Sequence, residues 1–125
     1  MIAIDSSSFI AYLSGAAGPD IVAVEAALAG KHACVPPVVL TELLSDPELP
    51  KIVEGLLRQL PRLSVSDGYW ERAGALRAKV LADRRRAPLA DALIAQSCLD
   101  HDVPLITRDH DFRSFERLAR LKLVP

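Results

Sequence analysis

Five carboxylates stand where the local pattern gives them something to do: Asp5, Glu42, Asp91, Asp109 and Asp111. Asp5 closes the apolar run Ile2-Ala3-Ile4, and Asp109 and Asp111 follow a second apolar run, Val103 to Ile106. In an open parallel sheet, functional groups gather at the carboxyl ends of the strands, where these three acids fall. The other two lie on helical stretches. At about 100° per residue, Glu42 falls between Val38 and Val39, at the edge of an apolar arc. Asp91 shares a face with Ile94, Ala95 and Cys98, while Gln96 and Asp100 lie on the other side. A charge on a packed face needs a partner, and the helix dipole in a first turn supplies only about 0.3–1 kcal/mol. Two carboxylates about 4 Å apart repel by about 4 kcal/mol at an effective dielectric of about 20. If Asp5, Glu42, Asp91 and Asp109 converge, they must either protonate or share a cation. An all-oxygen set favours Mg2+ or Mn2+ over zinc, and a cation that keeps its water suits hydrolysis of a phosphodiester. Taken singly, each acid reads as a turn, cap or solvated residue; the combination carries the argument.

The elements that must position these groups alternate. Ile2-Ala3-Ile4 reads as a buried parallel strand. Ser6 to Ser8 supply helix-starting hydroxyls, and a short helix continues from Phe9 to Leu13. Residues 20 to 29 form a second helix ended by Gly30. Ala33-Cys34-Val35 is a strand, and helices follow over Val38 to Ser45 and Lys51 to Leu60. Leu63-Ser64-Val65 is a third short strand. A long helix capped by Ser66 or Asp67 reaches Leu81, with Trp70, Ala73, Leu76 and Val80 at helical spacing. An Ala-rich helix over Leu89 to His101 precedes the fourth strand, Val103 to Ile106. A polar loop, a helix over Phe112 to Ala119 and a last strand over Leu121 to Val124 close the sequence. Short strands alternating with longer helices predict a three-layer α/β/α sandwich around a central parallel sheet, with residues 1–125 as a single domain.

The chain has 125 residues, half of them hydrophobic and a quarter charged, which suits one compact core. The net charge of −1 gives no global signal for nucleic acid. The basic residues are nevertheless grouped, Arg84-Arg85-Arg86 after Arg77 and Lys79. Cys34 and Cys98 sit in apolar surroundings and read as buried thiols. The scattered His32, His101 and His110 form no metal-ligand spacing with cysteine and read as surface residues. Tyr69 and Trp70 read as core or dimer contacts. No leader pattern and no run of about 18 apolar residues is present, so a cytoplasmic protein without a membrane span is expected.

Four segments carry a family likeness: Ile2-Ala3-Ile4-Asp5-Ser6-Ser7, Val38-Val39-Leu40-Thr41-Glu42-Leu43-Leu44, Asp91-Ala92-Leu93-Ile94-Ala95 and Leu105-Ile106-Thr107-Arg108-Asp109-His110-Asp111-Phe112. In this order the sequence resembles the PIN domains, particularly the VapC toxins, over Ile2 to Val124. The resemblance implies an Mg2+- or Mn2+-dependent endoribonuclease, with Asp5, Glu42, Asp91 and Asp109 as the catalytic acids and Asp5, Asp91 and Asp109 on the metal. It implies that Ser7 and Thr107 orient carboxylates, their plainer reading being helix or turn caps. Asp111 is either a further ligand through water or the cap of the helix at Phe112. It also implies an RNA substrate, a homodimer and a cognate antitoxin that fills the acidic pocket with a basic side chain. Arg84, Arg85, Arg86 and Arg108 are candidates for holding RNA at the rim, with Lys79 a weaker one; a solvated basic loop is the plainer reading. An RNA-processing nuclease outside any toxin–antitoxin pair and a non-catalytic interaction module are the alternatives. A haloacid-dehalogenase phosphatase would need an acid where Ser7 stands, and a response-regulator receiver an acidic pair near the first strand.

Overall fold

A computed structural model describes residues 1–125. At its centre lies strand β1 (Ile2–Ile4), with Ala3 and Ile4 fully buried. β1 pairs in parallel with β2 (Ala33–Cys34) on one side, Ala3 opposite Cys34, and with β3 (Leu105–Ile106) on the other, Ala3 opposite Leu105. The order β2-β1-β3 makes β1 the point where the chain turns from one side of the sheet to the other. The crevice beyond its carboxyl end is therefore the natural ligand position. Seven helices flank the sheet in the expected α/β/α arrangement: α1 (Ser6–Leu13), α2 (Pro19–Ala29), α3 (Pro37–Leu44), α4 (Lys51–Gln59), α5 (Tyr69–Ala82), α6 (Leu89–His101) and α7 (Phe112–Ala119). Pro19 and Pro37 open α2 and α3, where the missing N–H costs nothing. One apolar cluster, running from Ala3 and Ile4 through Ile94 and Ala95 to Phe112 and Phe115, binds these layers together. No helix is long and apolar enough to cross a membrane.

Two expected strands shrink to single parallel bridges. Leu63 is buried and donates its N–H to the Val35 carbonyl, but Ser64 and Val65 are exposed, so the bridge stops at Arg62 opposite Val35. At the other edge Leu105 bonds the Lys122 carbonyl and the Val124 N–H, leaving one bridge at Leu123. On α5 the buried stripe is Tyr69, Ala73, Leu76 and Val80; Trp70 is 61 % exposed. The stripe begins one residue earlier than expected because Tyr69 can bury its ring and still donate its hydroxyl to the Leu93 carbonyl at 2.6 Å. The residue before α5 is Gly68, at φ 81°, and neither Ser66 nor Asp67 caps the helix. Cys34 and Cys98 are free and buried.

α6 is packed nearly all round, with every residue from Ile94 to Cys98 buried. The side assigned to Gln96 and Asp100 faces α5 rather than open solvent. Gln96 donates to Asp100 at 2.8 Å, and Asp100 pairs with Arg72 of α5 at 2.7 Å.

Candidate acidic site at the crossover

β1 ends at Asp5, which is 3 % exposed and directly precedes α1. Its carboxylate does not cap that helix. Ser7 Oγ donates to Asp5 Oδ2 at 2.6 Å, and Thr107 Oγ1 donates to the same oxygen at 2.8 Å. Two donors on one oxygen fix the plane of the group and leave Oδ1 without a protein donor. Ser7 and Thr107 thus contact the carboxylate they were expected to orient. Thr107 directly follows β3, so this bond ties the ends of the two neighbouring strands together.

The chain beyond β3 is shaped by the same hydroxyl. Thr107 Oγ1 accepts the Asp109 N–H at 3.0 Å, and Asp109 Oδ1 accepts the Asp111 N–H at 2.9 Å. Asp111 precedes α7 and makes no side-chain cap bond; its Oδ2 lies 3.7 Å from Arg86 Nε. Asp91 lies in the first turn of α6. One oxygen from each of Asp91, Asp109 and Asp111 lies within 4.8 Å of the others. Asp5 and Glu42 stand outside that close group, yet both act on Asp91 through their charge.

Asp91 bears the electrostatic cost. Burial, followed by the charges of Asp109, Asp5, Asp111 and Glu42, pushes its pKa from 3.8 up to about 7. Its Oδ2 is the one buried side-chain polar atom in the protein with no hydrogen-bond partner. A carboxylate with one buried, partnerless oxygen and two further carboxylates within 4.8 Å fits a hard divalent cation, whose ligands are oxygens and whose charge removes the repulsion.

The three serines that open α1 divide among three acids. Ser6 donates to Glu42 Oε1 at 2.8 Å, Ser7 to Asp5, and Ser8 to Asp20 Oδ2 at 2.8 Å. Ser6, Ser8 and Asp20 were not singled out from the sequence. The signal the sequence offers is the hydroxyl triplet itself, whose local reading is helix capping. Glu42, on an exposed turn of α3, is held toward α1 by the Ser6 bond.

The basic candidates separate. Arg84 is exposed and adopts φ 60°, Arg85 pairs with Asp83 at 2.7 Å, and Arg86 is 80 % exposed with Nε 3.7 Å from Asp111 Oδ2. Lys79 is exposed on α5. Arg108 is turned away to Asp20, with Nε–Oδ2 at 2.8 Å and Nη2–Oδ1 at 2.9 Å. A cleft of about 360 Å³ beside the acids is lined by Thr107, Asp109, His110, Arg113 and Glu116. His32 and His110 are exposed, and His101 is half-buried against the Ser64 carbonyl at 2.8 Å.

The crossover sheet and the acids at its carboxyl edge coincide with a family match: residues 2–118 fit the PIN domain model, and the chain belongs to the PIN domain family. Solved structures similar to it include VapBC2 from Rickettsia felis bound to a promoter DNA fragment, at 21% identity and TM-score 0.73, covering 99% of this chain and 98% of that one. VapBC-1 from nontypeable Haemophilus influenzae is similar at 19% identity and TM-score 0.74, covering 99% and 97%. VapBC-5 from Mycobacterium tuberculosis, of the VapBC family of toxin–antitoxin systems, is similar at 23% identity and TM-score 0.67, covering 98% and 96%. No curated protein matches the chain.

Proposed function

We propose that this chain is a single-domain, divalent-metal-dependent endoribonuclease, the toxin half of a VapBC-type pair acting in the cytoplasm. The observation that carries the reading is the Asp91 carboxylate, which has one buried oxygen without a partner and lies within 4.8 Å of Asp109 and Asp111. The near full-length likeness to chains from VapBC structures supports the toxin assignment.

Asp91, Asp109 and Asp111 hold the cation in this reading, with Asp5 contributing the oxygen that Ser7 and Thr107 leave free. When bound, Mg2+ or Mn2+ neutralises charge on the scissile phosphate and makes water more acidic. Glu42 is the proton acceptor: Ser6 fixes Oε1, and Oε2 is left to take the proton of the attacking water. The acids repel an RNA backbone, so Arg84 and Arg86, neither bonded within the basic run, hold the strand at the rim. Arg85 can join them through its Nη nitrogens, its Nε being held by Asp83. An antitoxin places a cationic side chain among the acids. Apart from the acids, an apolar groove of about 590 Å³ lined by Phe9, Tyr12, Leu13, Leu56 and Leu60 offers it a second contact. The homodimer belongs to this reading as well, with the exposed Trp70 a candidate contact.

The test is cleavage of total RNA by purified protein, with Mg2+ or Mn2+ and with chelator. Cleavage should require metal and fall at least a hundredfold in Asp5→Asn and Asp91→Asn, and those variants should no longer arrest growth when expressed. Chelator-resistant cleavage that survives both substitutions refutes the assignment.

A further inference from the structure

A second charged cluster lies beside the acids and is used by none of the steps above. Its centre is Arg108, between Thr107 and Asp109. Two of its guanidinium nitrogens meet the two oxygens of Asp20, at 2.8 and 2.9 Å, and Nη2 also donates to the Ala17 carbonyl at 3.2 Å. Asp20 lies in the first turn of α2, 88 residues away in sequence, and receives a third hydrogen bond from Ser8. The backbone is built around this pair. Gly18 sits at φ 147°, and a Cβ there would lie 2.7 Å from Asp20 Oδ1 and 3.3 Å from Arg108 Nη2. Any side chain at position 18 would therefore be strained and would also displace the pair.

We infer that Arg108 is a positioning residue, pinned to Asp20 so that the Thr107–Asp111 loop holds Asp109 and Asp111 at cation-binding spacing against Asp91. The inference rests on reading those three acids as a cation site. The loop has two anchors on its strand side. Thr107 is bonded to Asp5, and the Arg108 N–H approaches Ser7 Oγ at 3.4 Å. Beyond Arg108 come two like charges that face a third, and their mutual repulsion favours opening the loop. The paired guanidinium opposes that opening from the residue next to Asp109. A two-pronged contact sets direction as well as distance, which a lysine ammonium cannot do. Most of the donors that an RNA phosphate would need are already committed to Asp20 and Ala17, which separates Arg108 from Arg84 and Arg86.

The experiment measures Mn2+ binding by titration calorimetry in the full-length protein and in Arg108→Ala, Arg108→Lys, Asp20→Asn and the Arg108→Ala/Asp20→Asn double variant. Circular dichroism and melting without metal run alongside, together with KM and kcat for RNA. Positioning predicts that Arg108→Ala and Asp20→Asn each weaken Mn2+ binding about tenfold. The double variant should be no weaker than the worse single one, because both remove the same contact. Arg108→Lys should also lose affinity although its charge is kept. KM for RNA should stay within twofold in both single variants while kcat at limiting metal falls. If Arg108→Ala does not fold, Arg108→Lys and Asp20→Asn carry the comparison. Unchanged Mn2+ affinity in the folded variants overturns the inference. So does a raised KM in Arg108→Ala alone, which would make Arg108 an RNA contact. A native chain that binds no Mn2+ overturns the cation site itself, and the inference with it.

Discussion

Replacing Asp91 by Asn should make the metal-free protein more stable at pH 8, although it removes a group from the centre of the site. The folded chain holds the Asp91 carboxyl at a pKa of about 7, against 3.8 for the free group. Between those values the folded protein keeps a proton that the unfolded chain has lost, so stability falls as pH rises through that window. Above pH 7 both states are ionised and the full penalty stands; below about pH 4 neither is, and the penalty vanishes. A gap of about three pH units corresponds to about 4 kcal/mol, and solvent screening at a partly exposed group reduces that to about 2 kcal/mol. Asn keeps the shape and exchanges one unpaired buried oxygen for an unpaired amide, so the orphan cost nearly cancels. For a chain of this size, about 2 kcal/mol corresponds to a rise in Tm of about 5–10 °C. The assay is urea and thermal unfolding of both proteins in chelator at pH 8 and pH 4.5. Mn2+ should then reverse the order, because a ligand at a hundredfold excess over its Kd stabilises by about 2.7 kcal/mol, and the Asn variant forfeits most of that. A gain equal at both pH values, or no gain at pH 8, would refute the assignment of the cost to this carboxyl.

Thr107→Val removes one of the two donors on Asp5 and the acceptor of the Asp109 N–H, and should cost about 2 kcal/mol in urea unfolding. Tyr69→Phe leaves the Leu93 carbonyl without its 2.6 Å partner and should cost about 1–2 kcal/mol. Burial, then the charge of Asp100, raises the Tyr69 phenol to about 12, so an ultraviolet titration should show one late-ionising tyrosine that this variant lacks.

The alternation of short apolar runs with helical segments is enough to place β1, β2, β3 and all seven helices, because each follows its local pattern. The outer strands were not legible, since Leu63 and Leu121 bury one side chain each and the next residue along is already exposed. The core alternative for Trp70 fails: an aromatic at helical spacing fits a core face, and only the Leu93 carbonyl distinguishes Tyr69 as the buried ring. The five acids could be singled out by position along strands and helices. Their partners could not. Ser6 meets Glu42 across 36 residues and Thr107 meets Asp5 across 102. A serine just after a strand reads locally as a helix cap, and nothing in a hydroxyl reveals that its acceptor lies on another element.

The diversion of those serines has a structural consequence. Successive residues in a helix point about 100° apart, so the first turn of α1 sends Ser6 toward α3, Ser7 back to the end of β1 and Ser8 toward α2. The N-cap residue, Asp5, is bonded to Ser7 and Thr107, so side-chain capping worth about 1 kcal/mol is forgone, and in return one turn holds acids from three elements in a fixed relation. Asp109 and Asp111 are reached indirectly, through Thr107 on one side of Arg108 and through Asp20 on the other. An array of like charges held so firmly cannot relax by moving its members apart. Burial raises the pKa of Asp91, the carboxylate whose buried oxygen has no donor at all, and the repulsion adds to that rise. Rigidity around the acids thus adds to the protonation that burial favours at Asp91, and loosening any of the serine or arginine contacts should bring the Asp91 pKa part of the way down.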